Sequence, residues 1–206
     1  MADTDRPQIT LISPPTFDLG VFPDQLARLM DAVDVACLRL SLASREEDNL
    51  TRAADSLREV AHARDVAVVI EAHLGLVDRL GLDGVHLMDG ARSVRAARKA
   101  LGPDAIVGAW CGQTRHEGIG AAEAGADYVA FGPLGATGMG DGHVADHALF
   151  GWWSEMIEVP VVAEGALDAN LMGAFAPVTD FFAIGPEIWA AEDPLVALQG
   201  LLRAMG

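Results

Sequence analysis

The chain has 206 residues, 51% of them apolar, and a formal charge of −16. That length fits one well-buried core, and the apolar share excludes a disordered chain. The charge repels phosphate backbones and anionic lipid, so nucleic acid and membranes are excluded as partners, and a phosphorylated ligand needs local cations or N–H groups to offset the field.

Short apolar runs alternate with amphipathic stretches. Strands are expected at 9–13, 33–40, 66–72, 83–88, 105–110, 127–132, 159–165 and 180–185. Between them, PDQLARLMDA, EEDNLTRAADSLREVAHA, ARSVRAARKAL and TRHEGIGAAEAG carry helical patterns. Strict alternation points to a parallel sheet covered by helices, and eight units that close on themselves give a single (β/α)₈ TIM-barrel domain over 1–206. The turn after the first strand, SPPTFDLG, lacks a GxGxxG fingerprint, which argues against a doubly wound sheet.

An internal repeat supports closure. The second, fourth, sixth and eighth strands open with Asp34, Asp83, Asp127 and Asp180, spaced by 49, 44 and 53 residues. Counted from each aspartate, alternate positions (Cys37, His86, Ala130, Ala183, then Arg39, Met88, Gly132, Gly185) point into the barrel. The last four reach the C-terminal mouth, where barrel enzymes keep their chemistry.

Other features narrow the class. No apolar run approaches the roughly 20 residues of a membrane helix, and the acidic start MADTDRPQ shows no secretory signal. Cys37 and Cys111 lie in strand-like runs and read as reduced thiols, so a cytoplasmic location is expected. Trp152 and Trp153 are adjacent on a helix and cannot both face the core. One must cover a neighbouring helix or a partner, which leaves a homo-oligomer open.

The mouth residues offer a general chemistry of their own. Glu71 and His73 are two apart, so an extended backbone aims both at one side, suiting a general base or a metal ligand. His86 sits deep on an inward face, as a core histidine or a ligand contact. Arg39 ends an apolar strand and needs an anion: Glu71, Glu164 or a substrate group. Cys111 is a nucleophile candidate without an evident base. Glu164 stands where it can serve as a protonated general acid. Residues 139–143 form a glycine-containing extension of the sixth loop that could act as a lid.

Several stretches resemble one family. GLDGVHLMDGARSVRAARKALGPDAIVGAW, AAEAGADYVAFGP and VPVVAEGAL are similar to thiamin phosphate synthase and its relative, the thiazole tautomerase. The resemblance implies a TIM barrel of thiamin biosynthesis, a transferase that joins a pyrimidine pyrophosphate to a thiazole phosphate with Mg²⁺. With it, Arg39, His73, Cys111, Gln113, Gly132, Thr137, Gly165 and Gly185 are expected to bind substrate, and Asp89 is left as a carboxylate near the metal position.

Other matching positions differ from the family pattern. Cys37-Leu38-Arg39-Leu40-Ser41 stands for a Gln-Leu-Arg-Glu-Lys-like motif, and Glu71-Ala72-His73 for Asn-Asp-Arg. Ala91 replaces the metal aspartate, Gln113 a histidine, and Gly140 the loop-six lysine. Glu164-Gly165-Ala166-Leu167 replaces Ile-Gly-Gly-Ile, and beyond the eighth strand Pro186 removes a donor while Glu187 adds a negative charge. Each lost charge-assisted contact is worth about 1.5–3 kcal/mol. The expectation is a diverged member that binds or converts a small phosphorylated or carboxylated metabolite, with Glu71, Glu164 and His86 as catalytic candidates and most family Mg²⁺ ligands absent. A non-catalytic binding or scaffold barrel and a genuine synthase with a rearranged site are the alternatives.

Overall fold

In the computed structural model, residues 6–44, 46–137 and 142–205 are described. Eight parallel strands close into a barrel in chain order: β1 Gln8–Ile12, β2 Cys37–Leu40, β3 Ala67–Glu71, β4 Gly84–Leu87, β5 Ile106–Trp110, β6 Tyr128–Phe131, β7 Val161–Glu164 and β8 Phe181–Ile184. Thr10 pairs with both Cys37 and Ala183, which closes the sheet through β1. The strands are shorter than the apolar runs that announce them. Pro160, for example, has no N–H to donate to the ladder and lies just before β7.

Helices α1 Phe22–Ala32, α2 Glu47–His62, α3 Leu74–Leu80, α4 Val94–Leu101, α5 Arg115–Ala124, α6 His147–Met156 and α7 Ala169–Phe175 follow the first seven strands. After β8 come a short α8, Pro186–Trp189, and α9, Pro194–Leu202. Spacing of three and four makes the buried stripes: Leu50, Ala54, Leu57 and Ala61 on α2 all pack inward. Side-chain oxygens of Thr114, Asp146, Asp168 and Asp193 accept first-turn N–H groups and set where α5, α6, α7 and α9 begin.

The period of two divides the strands between two cores. Leu38, Val85, Leu87, Val129, Phe131, Phe182 and Ile184 join the large outer core against the helices. Ala130, Val162 and Ala183 form the inner cluster, with Ile12, Trp110, Tyr128 and Phe181 against it. Gly108 makes room inside, since a Cβ there would lie 2.0 Å from the Tyr128 ring. The small inner residues leave the space that the site uses.

The repeated aspartates act as brackets at the N-terminal end. Asp83, Asp127 and Asp180 each accept the N–H of a valine on the preceding strand, Val68, Val107 and Val161, at 2.7, 2.7 and 2.8 Å. Their own N–H groups donate to the carbonyls of the same valines. Each pair of strands is thus pinned by a two-way bond where the ladder begins. Asp34 is exposed.

The tryptophan pair resolves within the chain. Trp153 is fully buried and donates to the Val159 carbonyl at 2.7 Å, while the Arg115 guanidinium lies 4.4 Å over the Trp152 ring.

Candidate active site

The C-terminal mouth holds a cavity of about 490 Å³ whose lining includes Ile12, Arg39, Ser41, Glu71, Met88, Thr137, Glu164, Gly165, Pro186 and Glu187. A larger cavity of about 1310 Å³ opens at the opposite face, beside Gln8, Asp34, Asp180 and Arg203. The mouth cavity is the candidate, because buried ionisable groups converge there and barrel loops of that face carry function.

Arg39 is its centre. The side chain lies inside the barrel, one residue before the end of β2, at 3% exposure. Its Nη2 lies 2.7 Å from Glu164 Oε2 on β7, and its Nε lies 3.2 Å from Glu71 Oε1 on β3. Neither contact is aligned as a hydrogen bond, so both are charge contacts, and neither Glu164 oxygen accepts a hydrogen bond among the described residues. Burial pulls the guanidinium pKa down, but the Glu164 and Glu71 charges more than offset this, and the net shift is upward. Glu164 is fully buried, and burial pushes its pKa above the ordinary carboxylate value despite Arg39.

His86 lies beneath Arg39 on β4, fully buried, and does not line the cavity. Arg39 Nη1 is 3.0 Å from His86 Nε2. Arginine can only donate, so Nε2 accepts and the proton sits on Nδ1, which donates to the Tyr128 hydroxyl at 2.8 Å. Burial and then the Arg39 charge hold the imidazole pKa well below its usual value, so it is neutral. With both nitrogens occupied, His86 holds Arg39 in position.

The remaining candidates scatter. Glu71 reaches the cavity, and its Oε2 accepts from the Ser41 hydroxyl at 2.8 Å. His73 does not follow it: Ala72 turns the chain at φ 60°, and His73 becomes the residue that precedes α3. The extended backbone expected to align the two stops at Glu71. Cys111 is buried, its thiol pushed up to about 12 chiefly by burial, and it lies outside the cavity lining. Gln113 donates to the His143 carbonyl at 3.0 Å, tying the fifth loop to the sixth. Gly132 lets β6 pass β7, since a Cβ would lie 2.3 Å from the Glu164 carbonyl. Thr137 and Gly165 line the cavity, whereas Gly185 lies just outside its lining. Gly140 and most of the lid extension lie outside the described residues.

Sequence reasoning does not single out Ser41 or Tyr128 as site residues, and it notes Glu187 only as an added negative charge beyond the eighth strand. The period of two from Arg39 to Ser41 is a usable signal for the first. The Tyr128–His86 contact crosses between strands and the Glu187–Leu167 contact joins α8 to the loop after β7, so no local pattern announces either.

The Mg²⁺ expectation can be tested on the donor set. Among the described residues no group of three or more His, Cys, Asp or Glu gathers to hold a metal. Glu71 and Glu164 face Arg39, and Asp89 accepts from Ser93 at 2.6 Å outside the cavity lining. They form no all-protein cage, and since Mg²⁺ is usually held by one or two carboxylates together with substrate phosphates, Glu71 would be the lining carboxylate to hold it.

Comparison with known proteins points to one family. Residues 9–178 match the family model for thiamine monophosphate synthase. The chain belongs to that family. It is 40% identical to the thiamine-phosphate synthase of Rhodospirillum centenum over 201 residues, covering 96% of this chain and 97% of the other. The thiamine-phosphate synthase of Erythrobacter litoralis is 35% identical, with 94% and 93% covered. The thiamine phosphate pyrophosphorylase structure from Pyrococcus furiosus superposes with a TM-score of 0.81 at 18% identity, covering 96% and 94%. This family membership supports the synthase alternative above the expected divergence to other chemistry. That divergence, as the leading reading, finds no support in the whole-length similarity. No helix among the described residues is long and apolar enough to cross a membrane.

Proposed function

We propose that the protein is a thiamine-phosphate synthase with a rearranged mouth, acting on small molecules in the cavity around Arg39. The observation that carries this reading is the 40% identity to a thiamine-phosphate synthase across nearly the full length of both chains. The reaction joins a thiazole nitrogen to the pyrimidine's methylene carbon as pyrophosphate leaves. Arg39 is a cation in the cavity lining, and Glu71, linked to Ser41, is one of two carboxylates there, with Glu187, that remain partly exposed. In this reading Arg39 orients the ligand and Glu71, held by Ser41, accepts a hydrogen bond from it, while the nitrogen–carbon bond forms as the carbon–pyrophosphate bond breaks with no proton transferred.

The test is turnover of the pyrimidine pyrophosphate and the thiazole phosphate, with and without Mg²⁺, read as thiamin phosphate formed. Glu71→Gln is expected to lower kcat/KM about 10-fold, the scale of one charge-assisted hydrogen bond to the ligand. Absence of product from the folded wild-type protein would sink the synthase reading. One observation favours a second reading, a barrel of the same family that binds another small metabolite. The charge of Arg39 is already shared between two carboxylates, which leaves little for a leaving pyrophosphate.

A further inference from the structure

Barrels of this kind commonly hold phosphate where the loops after the seventh and eighth strands meet, with backbone N–H groups as donors. In this protein that place is taken. The Leu167 N–H, beyond β7, donates to Glu187 Oε1 at 3.1 Å. The Gly185 N–H, beyond β8, donates to Glu187 Oε2 at 2.9 Å. One carboxylate therefore uses both oxygens to satisfy a donor from each loop, as two oxygens of a bound phosphate would.

The surroundings strengthen the point. Glu187 lines the same cavity as Glu71 and Glu164. The buried Glu164 carboxylate also faces this cavity, and its Oε1 accepts no hydrogen bond among the described residues. A ligand group that meets it must bring a donor, not another acceptor. A phosphate entering the loop junction would have to displace Glu187 and then stand beside two further carboxylates, with Arg39 already facing both.

We propose that Glu187 is an intramolecular anion lodged on the Leu167 and Gly185 amides, and that it sets how strongly this mouth takes phosphate. It is a specificity-determining residue: its carboxylate competes with any phosphoryl group for the same two donors. The inference takes from the proposed function only that ligands enter at this mouth, and it holds for either reaction outcome there.

Calorimetric titration with inorganic phosphate and with pyrophosphate tests it on the full chain. Glu187→Ala frees both N–H groups and is expected to bind phosphate at least ~10-fold more tightly than wild type, the scale of one charge-assisted contact. Glu187→Gln keeps an acceptor oxygen but drops the charge, and a smaller gain is expected. Glu123→Gln, an exposed carboxylate on α5, controls for net charge and should change nothing. Equal affinity in wild type and folded Glu187→Ala would overturn the proposal, as would the same gain in Glu123→Gln. If Glu187→Ala fails to fold, Glu187→Gln decides, and no gain there overturns it. Failure of wild-type turnover would sink the synthase reading and leave this comparison standing.

Discussion

The two ends of the barrel use carboxylates in opposite ways. At the N-terminal end, Asp83, Asp127 and Asp180 each accept a strand N–H. Asp83 also meets His62 and Asp127 meets Arg98 at the surface. At the mouth, Glu71 and Glu164 crowd around one buried guanidinium, and Glu164 has no aligned donor among the described residues. A bracket at one end fixes the frame. A charge cluster at the other end is costly to the fold and lines the candidate site, since buried ions repay their desolvation only with excellent geometry.

The sharpest way to break this contrast is to remove the shared cation. Arg39→Leu leaves Glu164 buried without a counter-charge, and a loss of about 3–5 kcal/mol is expected in urea unfolding at neutral pH. A loss below about 1 kcal/mol would mean that the cluster is not held by charge. At the other end, Asp127→Ala strands the Val107 N–H and should cost about 1–3 kcal/mol. An effect as large as that of Arg39→Leu would erase the distinction between bracket and cluster.

The smallest effect is a slope. Burial raises the Glu164 pKa in the folded state, so between the ordinary carboxylate range and that raised value the folded protein binds more protons than the unfolded chain. Stability from this group is therefore present below the unfolded pKa and declines as pH rises through the folded one, by at most about 1.4 kcal/mol per pH unit. Glu164→Gln should flatten that decline when unfolding is followed across pH. An unchanged profile would show that Glu164 titrates as an ordinary exposed carboxylate.

The amino-acid sequence alone determines much of the frame. The alternation of runs dictates the barrel, because a period of two and a period of 3.6 cannot be exchanged without exposing the core. The same period aims Arg39 into the barrel and Leu38 outward, as the two cores show. The near-regular spacing of the aspartates belongs to the sequence too, although their role as brackets needs the neighbouring strand beside them.

Which mouth residues meet is decided only by closure. His73 is two positions from Glu71, yet a single residue with positive φ sends it to α3. Arg39 and Glu164 are far apart along the chain and come within 2.7 Å because β2 and β7 face each other across a space that Ala130 and Ala183 leave open. Glu187 on α8 and Leu167 in the loop after β7 are joined by a hydrogen bond that exists only when β7 and β8 are side by side. Local sequence sets which face a side chain takes, through the pleat and the helical turn. What that side chain meets depends on distances between segments that no local period encodes.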